Sequence, residues 1–157
     1  QTGDPVAPGE LGELVFTNLI GDTQPLLRYR SGDLARIDPA PACGCASVVL
    51  LGSIEGRVDD MIVYRGVNIY PSAVERVIHS FPELADEFQL ALRGPWERPE
   101  LVVRVEPVSP ATTVPVERLA AAIHAALGVH VTVEGCPPGT LPRSDYKARR
   151  IVDERVR

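Results

Sequence analysis

Gly56-Arg57-Val58-Asp59-Asp60-Met61-Ile62-Val63-Tyr64-Arg65-Gly66-Val67-Asn68-Ile69-Tyr70-Pro71 is the stretch at which this 157-residue chain changes character. Upstream of it lie only short strand patterns. Glu13 to Thr17 is bounded by Gly12 and a Gly21-Asp22 turn, and Leu26 to Tyr29 and Leu34 to Ile37 flank a Ser31-Gly32-Asp33 turn. Val48 to Leu51 is an apolar run of the buried-strand kind. No helical periodicity occurs before residue 70. Within the stretch, Met61 to Tyr64 is a strand entering an Arg65-Gly66 turn, and Pro71 stands where the first turn of a helix accepts proline.

Downstream the periods alternate. Val74, Val77, Ile78 and Phe81 recur at i, i+3, i+4 and i+7, which predicts an amphipathic helix closed by Pro82. Leu90 to Leu92 and Leu101 to Val105 are strands, with Leu101, Val103 and Val105 on one face. Pro115 opens a second helix, carrying Val116, Leu119, Ala120, Ile123 and Leu127 on one stripe and stopping at Gly128. Val129, Val131 and Val133 alternate with polar residues in a half-buried strand. The expected class is α+β: a small C-terminal sheet with two helices on one face, about 100 residues and large enough to fold alone. The strand-rich first third has no second layer to cover it and is expected to be a remnant of a larger N-terminal domain. The expected division is 1–58 and 59–157.

Composition narrows the function. Net charge is −5, pI about 5.2 and mean hydropathy +0.03, so no basic field exists to hold a nucleic-acid backbone. No apolar run is long enough to span a bilayer, and the polar opening Gln1-Thr2-Gly3-Asp4-Pro5 lacks a signal-peptide pattern. Three cysteines, an odd and small number, suit a reducing cytoplasm.

Three places carry chemistry. In Tyr29-Arg30-Ser31-Gly32-Asp33-Leu34 a carboxylate follows a glycine, and its two oxygens could accept hydrogen bonds from vicinal hydroxyls such as those of a ribose. The same spelling also suits a surface turn with a solvated Asp33. In Arg57-Val58-Asp59-Asp60 and Arg65-Gly66, the plain alternatives are a solvated charge pair and a simple hairpin turn. In Leu141-Pro142-Arg143-Ser144-Asp145-Tyr146-Lys147, Lys147 is the chain's only lysine, beside 15 arginines. That contrast suggests a place needing a compact, flexible point charge where a planar fork would not fit.

Tyr29 to Asp33, the Arg57 to Pro71 stretch with Val74-Glu75, and Leu141 to Arg150 together resemble the adenylate-forming superfamily of acyl-CoA synthetases, luciferases and adenylation domains. The Asp59-Asp60-Met61-Ile62 and Arg65-Gly66-Val67-Asn68 spellings resemble its phenylacetate–CoA ligase branch. The resemblance runs from Gly12 to Asp153. It implies that Asp33 binds the ribose hydroxyls of ATP and that Arg57 binds ribose or phosphate oxygens. Asp59 would be the hinge about which a small domain turns between two half-reactions. Gly66 would let the pantetheine arm of CoA pass close to backbone. Lys147 would stabilise charge as a carboxylate attacks the α-phosphate. The family usually places glycine before this lysine, and here Tyr146 stands there.

The resemblance also implies what surrounds the chain: ATP, Mg2+ and CoA as co-reactants, an aromatic carboxylic acid as substrate, and a large N-terminal catalytic domain. No Gly-rich phosphate loop, no separable acid for Mg2+ and no aromatic-lined pocket is legible, so the isolated chain is expected to be inactive. Cys43 and Cys45 could be half of a structural zinc site with upstream ligands; in the isolated chain they are expected as free thiols. His79, His124 and His130 lack ligand spacing and are expected to face solvent or to be structural. Readings of another class remain: a non-catalytic docking module for CoA or a carrier-protein pantetheine arm, a subunit of a split enzyme, or an adenylation enzyme loading a carrier protein. An uncovered strand edge within residues 12–52 would favour a homodimer.

Overall fold

The structure, a computed structural model, describes residues 3–20, 24–44, 47–143 and 150–156. It divides into two compact units, Gln1–Met61 and Ile62–Arg157.

In the first unit, strands β1 (Leu11–Phe16), β2 (Tyr29–Arg36) and β3 (Gly56–Arg57) form an antiparallel sheet in that order. Ser31-Gly32-Asp33, expected as a turn between two strands, is instead a bulge inside the single strand β2. Glu13 pairs with Leu34 and Val15 with Arg30, so Leu14 alone opposes three residues. Gly32 makes this feasible by adopting φ +80. Ser31 Oγ fixes the bulge, donating to the Leu14 carbonyl at 3.1 Å and accepting the Asp33 N–H at 3.0 Å. Val48 to Leu51 is not a buried strand: only an isolated bridge joins Leu50 to Ile37, and Val48 is 74% exposed. Val49 and Leu50 are only half-buried and Leu51 is exposed; Leu34 and Ala35 are the buried apolar residues among those described in this unit. A 3₁₀ turn, Val58–Asp60, follows β3.

The second unit opens with a hairpin, β4 (Ile62–Tyr64) and β5 (Val67–Ile69), then α1 (Pro71–Ile78). Strands β6 (Leu84–Pro95) and β7 (Glu100–Pro107), helix α2 (Val116–Leu127), and strands β8 (Thr132–Gly135) and β9 (Ile151–Val156) complete it. The sheet order is β8-β7-β6-β9; β6 and β7 are antiparallel, while β8 runs parallel to β7 and β9 parallel to β6. Both helices follow their patterns. Pro71 begins α1, which buries Val74 and Ile78 and ends at Ile78, before Pro82. Leu119 and Ile123 are the buried stripe of α2, and Gly128 at φ +72 stops it, its N–H donating to the His124 carbonyl.

These helical stripes meet Leu90, Leu92, Leu101, Val103 and Val105 of the sheet, together with Ile62, Tyr64 and Ile69 of the hairpin, in one apolar core. Full burial of side chains such as Leu101, Leu119 and Ile123 contributes on the order of 1.5–3 kcal/mol each. The other sheet face carries a charged lattice. Arg104 donates to Glu134 at 3.2 Å and to Glu154 at 2.7 Å, and Arg93 donates to Glu134 at 2.6 Å. Three strands, β3, β5 and β9, are not evident in the periodicity.

Candidate functional site

β2 and β3 set Asp33 and Arg57 side by side as cross-strand partners. Arg57 Nη1 donates to Asp33 Oδ1 at 2.7 Å and, more weakly, to the Ser31 carbonyl at 3.4 Å. The same guanidinium turns its other edge to the 3₁₀ turn, where Nε and Nη2 donate to the two oxygens of Asp59 at 3.0 and 3.1 Å. Asp60 lies 4.0 Å from Nε. Three residues singled out in the sequence, Asp33, Arg57 and Asp59, therefore meet at one cation. The hydrogen bond to Asp59 is the main cause that holds the Arg57 pKa above the ordinary guanidinium value, with Asp33 adding to it. These groups are a third or more open to water at Arg57 and Asp59, so the cluster orders geometry more than it stabilises the fold. Asp59 is exposed, within a turn rather than a buried element.

Two neighbours of Asp33 in the same stretch complete the cluster. Gly32 leaves room for the cation: a β-carbon there would stand 3.0 Å from Arg57 Nη2 and 3.7 Å from Asp59 Oδ1. Arg30 braces the bulge from the other side, its Nε donating to Glu13 Oε2 of β1 at 2.9 Å. That bond holds the Glu13 carboxyl below its usual range.

In the second unit, Arg65 at φ 50 and Gly66 at φ +81 form the two-residue link between β4 and β5. Positive φ at both central positions is the requirement of a type I′ hairpin. A β-carbon on Gly66 would meet nothing within 4 Å. The constraint on Gly66 within this chain is thus conformational, and its surface is open. Lys147 lies outside the described residues.

Cys43 is disulfide-bonded, which corrects the expectation of a free thiol there. Gly44, at φ +62, bends the chain sharply beside it, and sulfur bonded to sulfur is not the thiolate zinc requires. Cys45 lies outside the described residues. Cys136 is a free thiol whose pKa burial pushes up. His124 and His130 stack on each other, ring centroids 4.0 Å apart, and His79 Nε2 lies 3.5 Å from Asp86 Oδ1. Among the described residues no three His, Cys, Asp or Glu side chains gather as a metal site would require. No helix among them is long and apolar enough to cross a membrane.

Residues 66–155 match the family model described as AMP-binding enzyme C-terminal domain. A phenylacetate–coenzyme A ligase of Thermus thermophilus is 39% identical over 99% of this chain. Among solved structures, 2-hydroxyisobutyryl-CoA ligase in its postadenylation state superposes with a TM-score of 0.82 at 32% identity, over 96% of this chain and 33% of that one. A domain of phenylacetate–coenzyme A ligase from Bacteroides vulgatus gives a TM-score of 0.55 at 29% identity, over 62% of this chain and 95% of that domain. The chain spans about two-fifths of the length of the curated relatives it matches.

Proposed function

We infer, since this chain belongs to the family of AMP-binding enzyme C-terminal domains, that it is the C-terminal portion of an ATP-dependent, AMP-forming carboxylic acid–CoA ligase acting on an aromatic, phenylacetate-like acid. The observation that supports this most is the single guanidinium of Arg57 joined to both Asp33 and Asp59.

In the first half-reaction an acid oxygen attacks the α-phosphorus of ATP and pyrophosphate leaves. Asp33 accepts the ribose hydroxyls, held in place by the bulge and by Arg57. Lys147 offers a compact cation to the oxygens on which charge develops. In the second half-reaction the CoA thiol, losing its proton, attacks the acyl carbonyl and AMP departs. Gly66 presents bare backbone to the pantetheine arm, and Asp59 is the point about which the chain turns between the two steps. Mg2+ accompanies ATP in the parent enzyme, and the described residues offer it no cluster of ligands.

The acceptor in this reading is CoA. A carrier-protein pantetheine presents the same thiol, and parallel rates with CoA and a loaded carrier protein decide between them. The parent carries this chain joined to its large N-terminal domain. A homodimer paired through the open edge of β1 is checked by sedimentation.

The test is the full-length parent with and without Lys147→Ala. Phenylacetate-dependent pyrophosphate exchange is expected in the parent and lost in the variant, while thioester formation from supplied acyl-AMP is kept. No exchange with any aromatic acid in the parent, or an equal fall of both half-reactions in the variant, rejects the reading.

A further inference from the structure

Glu106, near the end of β7, has no exposed surface at all, and it is the buried charged residue among those described. Burial alone would push its carboxyl pKa up. The N–H groups of Leu141 and Gly139, with Arg143 adding to them, outweigh that and hold it below the ordinary value. Oε1 accepts the Leu141 N–H at 2.5 Å, Oε2 accepts the Gly139 N–H at 2.8 Å, and Arg143 Nη2 lies 3.4 Å from Oε2.

A buried carboxylate is a costly way to stabilise a fold, since apolar replacements often do as well, and its attested use is to fix one arrangement among several. Here the two oxygens seize two N–H groups two residues apart, which sets both the position and the direction of the chain. That chain leads directly to Lys147, with three residues between Arg143 and the lysine, so four residue steps give at most about 14 Å of reach. On the far side Arg150 is moored as firmly. Its Nη1 donates to Glu87 Oε2 at 2.9 Å and to the Phe88 carbonyl at 3.2 Å, and its guanidinium lies 4.4 Å from the Phe88 ring centroid. The Arg150 carbonyl accepts the Leu90 N–H at 2.7 Å.

We propose that Glu106 is a positioning residue for adenylation: its carboxylate fixes residues 139–143 on the end of β7, so that the chain leading to Lys147 starts from one defined place. The inference rests on the role given to Lys147 above and adds a residue that touches neither substrate nor nucleotide. It separates Glu106 from a merely structural acid, because only the half-reaction served by the lysine should depend on it.

The experiment uses the full-length parent with Glu106→Gln, Glu106→Asp and Lys147→Ala. It reads hydrogen exchange at the Gly139 and Leu141 amides, acid-dependent pyrophosphate exchange, and thioester formation from supplied acyl-AMP. Glu106→Gln is expected to speed exchange at both amides about tenfold or more and to slow adenylation about tenfold or more. Thioester formation should stay within about twofold, and Glu106→Asp, keeping the charge, should recover part of the adenylation rate. Should Glu106→Gln not fold, Arg143→Ala replaces it with the same three readouts and the same expected directions. Unchanged adenylation despite faster amide exchange, or an equal fall of both half-reactions, overturns the inference while Lys147→Ala remains defective. If Lys147→Ala itself spares adenylation, the role of the lysine fails and this inference falls with it.

Discussion

Gly32 and Arg57 share one space: a β-carbon at position 32 would stand 3.0 Å from Nη2 of Arg57. The glycine also holds φ +80, where an alanine is strained. Gly32→Ala should therefore cost about 1–3 kcal/mol and push Arg57 off Asp33 and Asp59. Urea unfolding of the chain measures the first effect. A rise in the KM for ATP in the parent measures the second.

Arg57 uses three nitrogens on two carboxylates and a carbonyl. Lysine keeps the charge but has no fork. Arg57→Lys should leave urea stability within about 1 kcal/mol, as exposed ion pairs contribute little, yet lower pyrophosphate exchange about tenfold or more. An active Arg57→Lys parent would show that a point charge suffices.

At Gly66 backbone conformation and open space can be separated. Asn tolerates positive φ in a type I′ turn, whereas Ala does not. Gly66→Asn should unfold near the wild-type midpoint and Gly66→Ala about 1 kcal/mol lower. Both should slow thioester formation from supplied acyl-AMP and spare pyrophosphate exchange. A Gly66→Asn variant with normal thioester rates would remove the pantetheine role.

The pH dependence follows from carboxylates whose folded pKa lies below the ordinary value. Such a group stabilises the fold fully above its unfolded pKa and ceases to do so as pH falls through its folded one. For Glu106 the loss begins below 4.5. For Asp153, hydrogen-bonded by Arg155, it runs from 3.8 to about 2. The melting temperature should thus be level above about pH 5 and fall steadily below it. Glu106→Gln should melt lower than wild type at neutral pH, and the gap should narrow in acid. A constant gap from neutral to acid pH would show that the charge of Glu106 is not what holds residues 139–141.

Much of the second unit was legible because its signals are local. Pro71, the Val74 and Ile78 spacing, the Leu119 and Ile123 stripe and Gly128 each act within a turn or two of helix. The first unit was less so. Ser31-Gly32-Asp33 has turn chemistry, and only pairing with β1 makes it a bulge. Val48 to Leu51 has the composition of a buried strand, and burial depends on a covering layer that composition does not encode. Strand β9 was missed because Asp153, Glu154 and Arg155 break its apolar pattern, and its partner β6 is some sixty residues away. At the site, Asp33, Arg57, Asp59 and Gly66 stood out through their motif. Glu106 did not, and Gly32 read only as turn chemistry, since what matters in each is a neighbour distant in sequence.

The parallel pairing of β9 with β6 bears on how this protein can be shortened. A stop codon placed before Lys147 would delete not only the ammonium but an entire edge of the four-stranded sheet, baring the backbone of β6. Loss of activity in such a truncation would report a damaged scaffold, so only single-residue replacement can isolate what the lysine contributes.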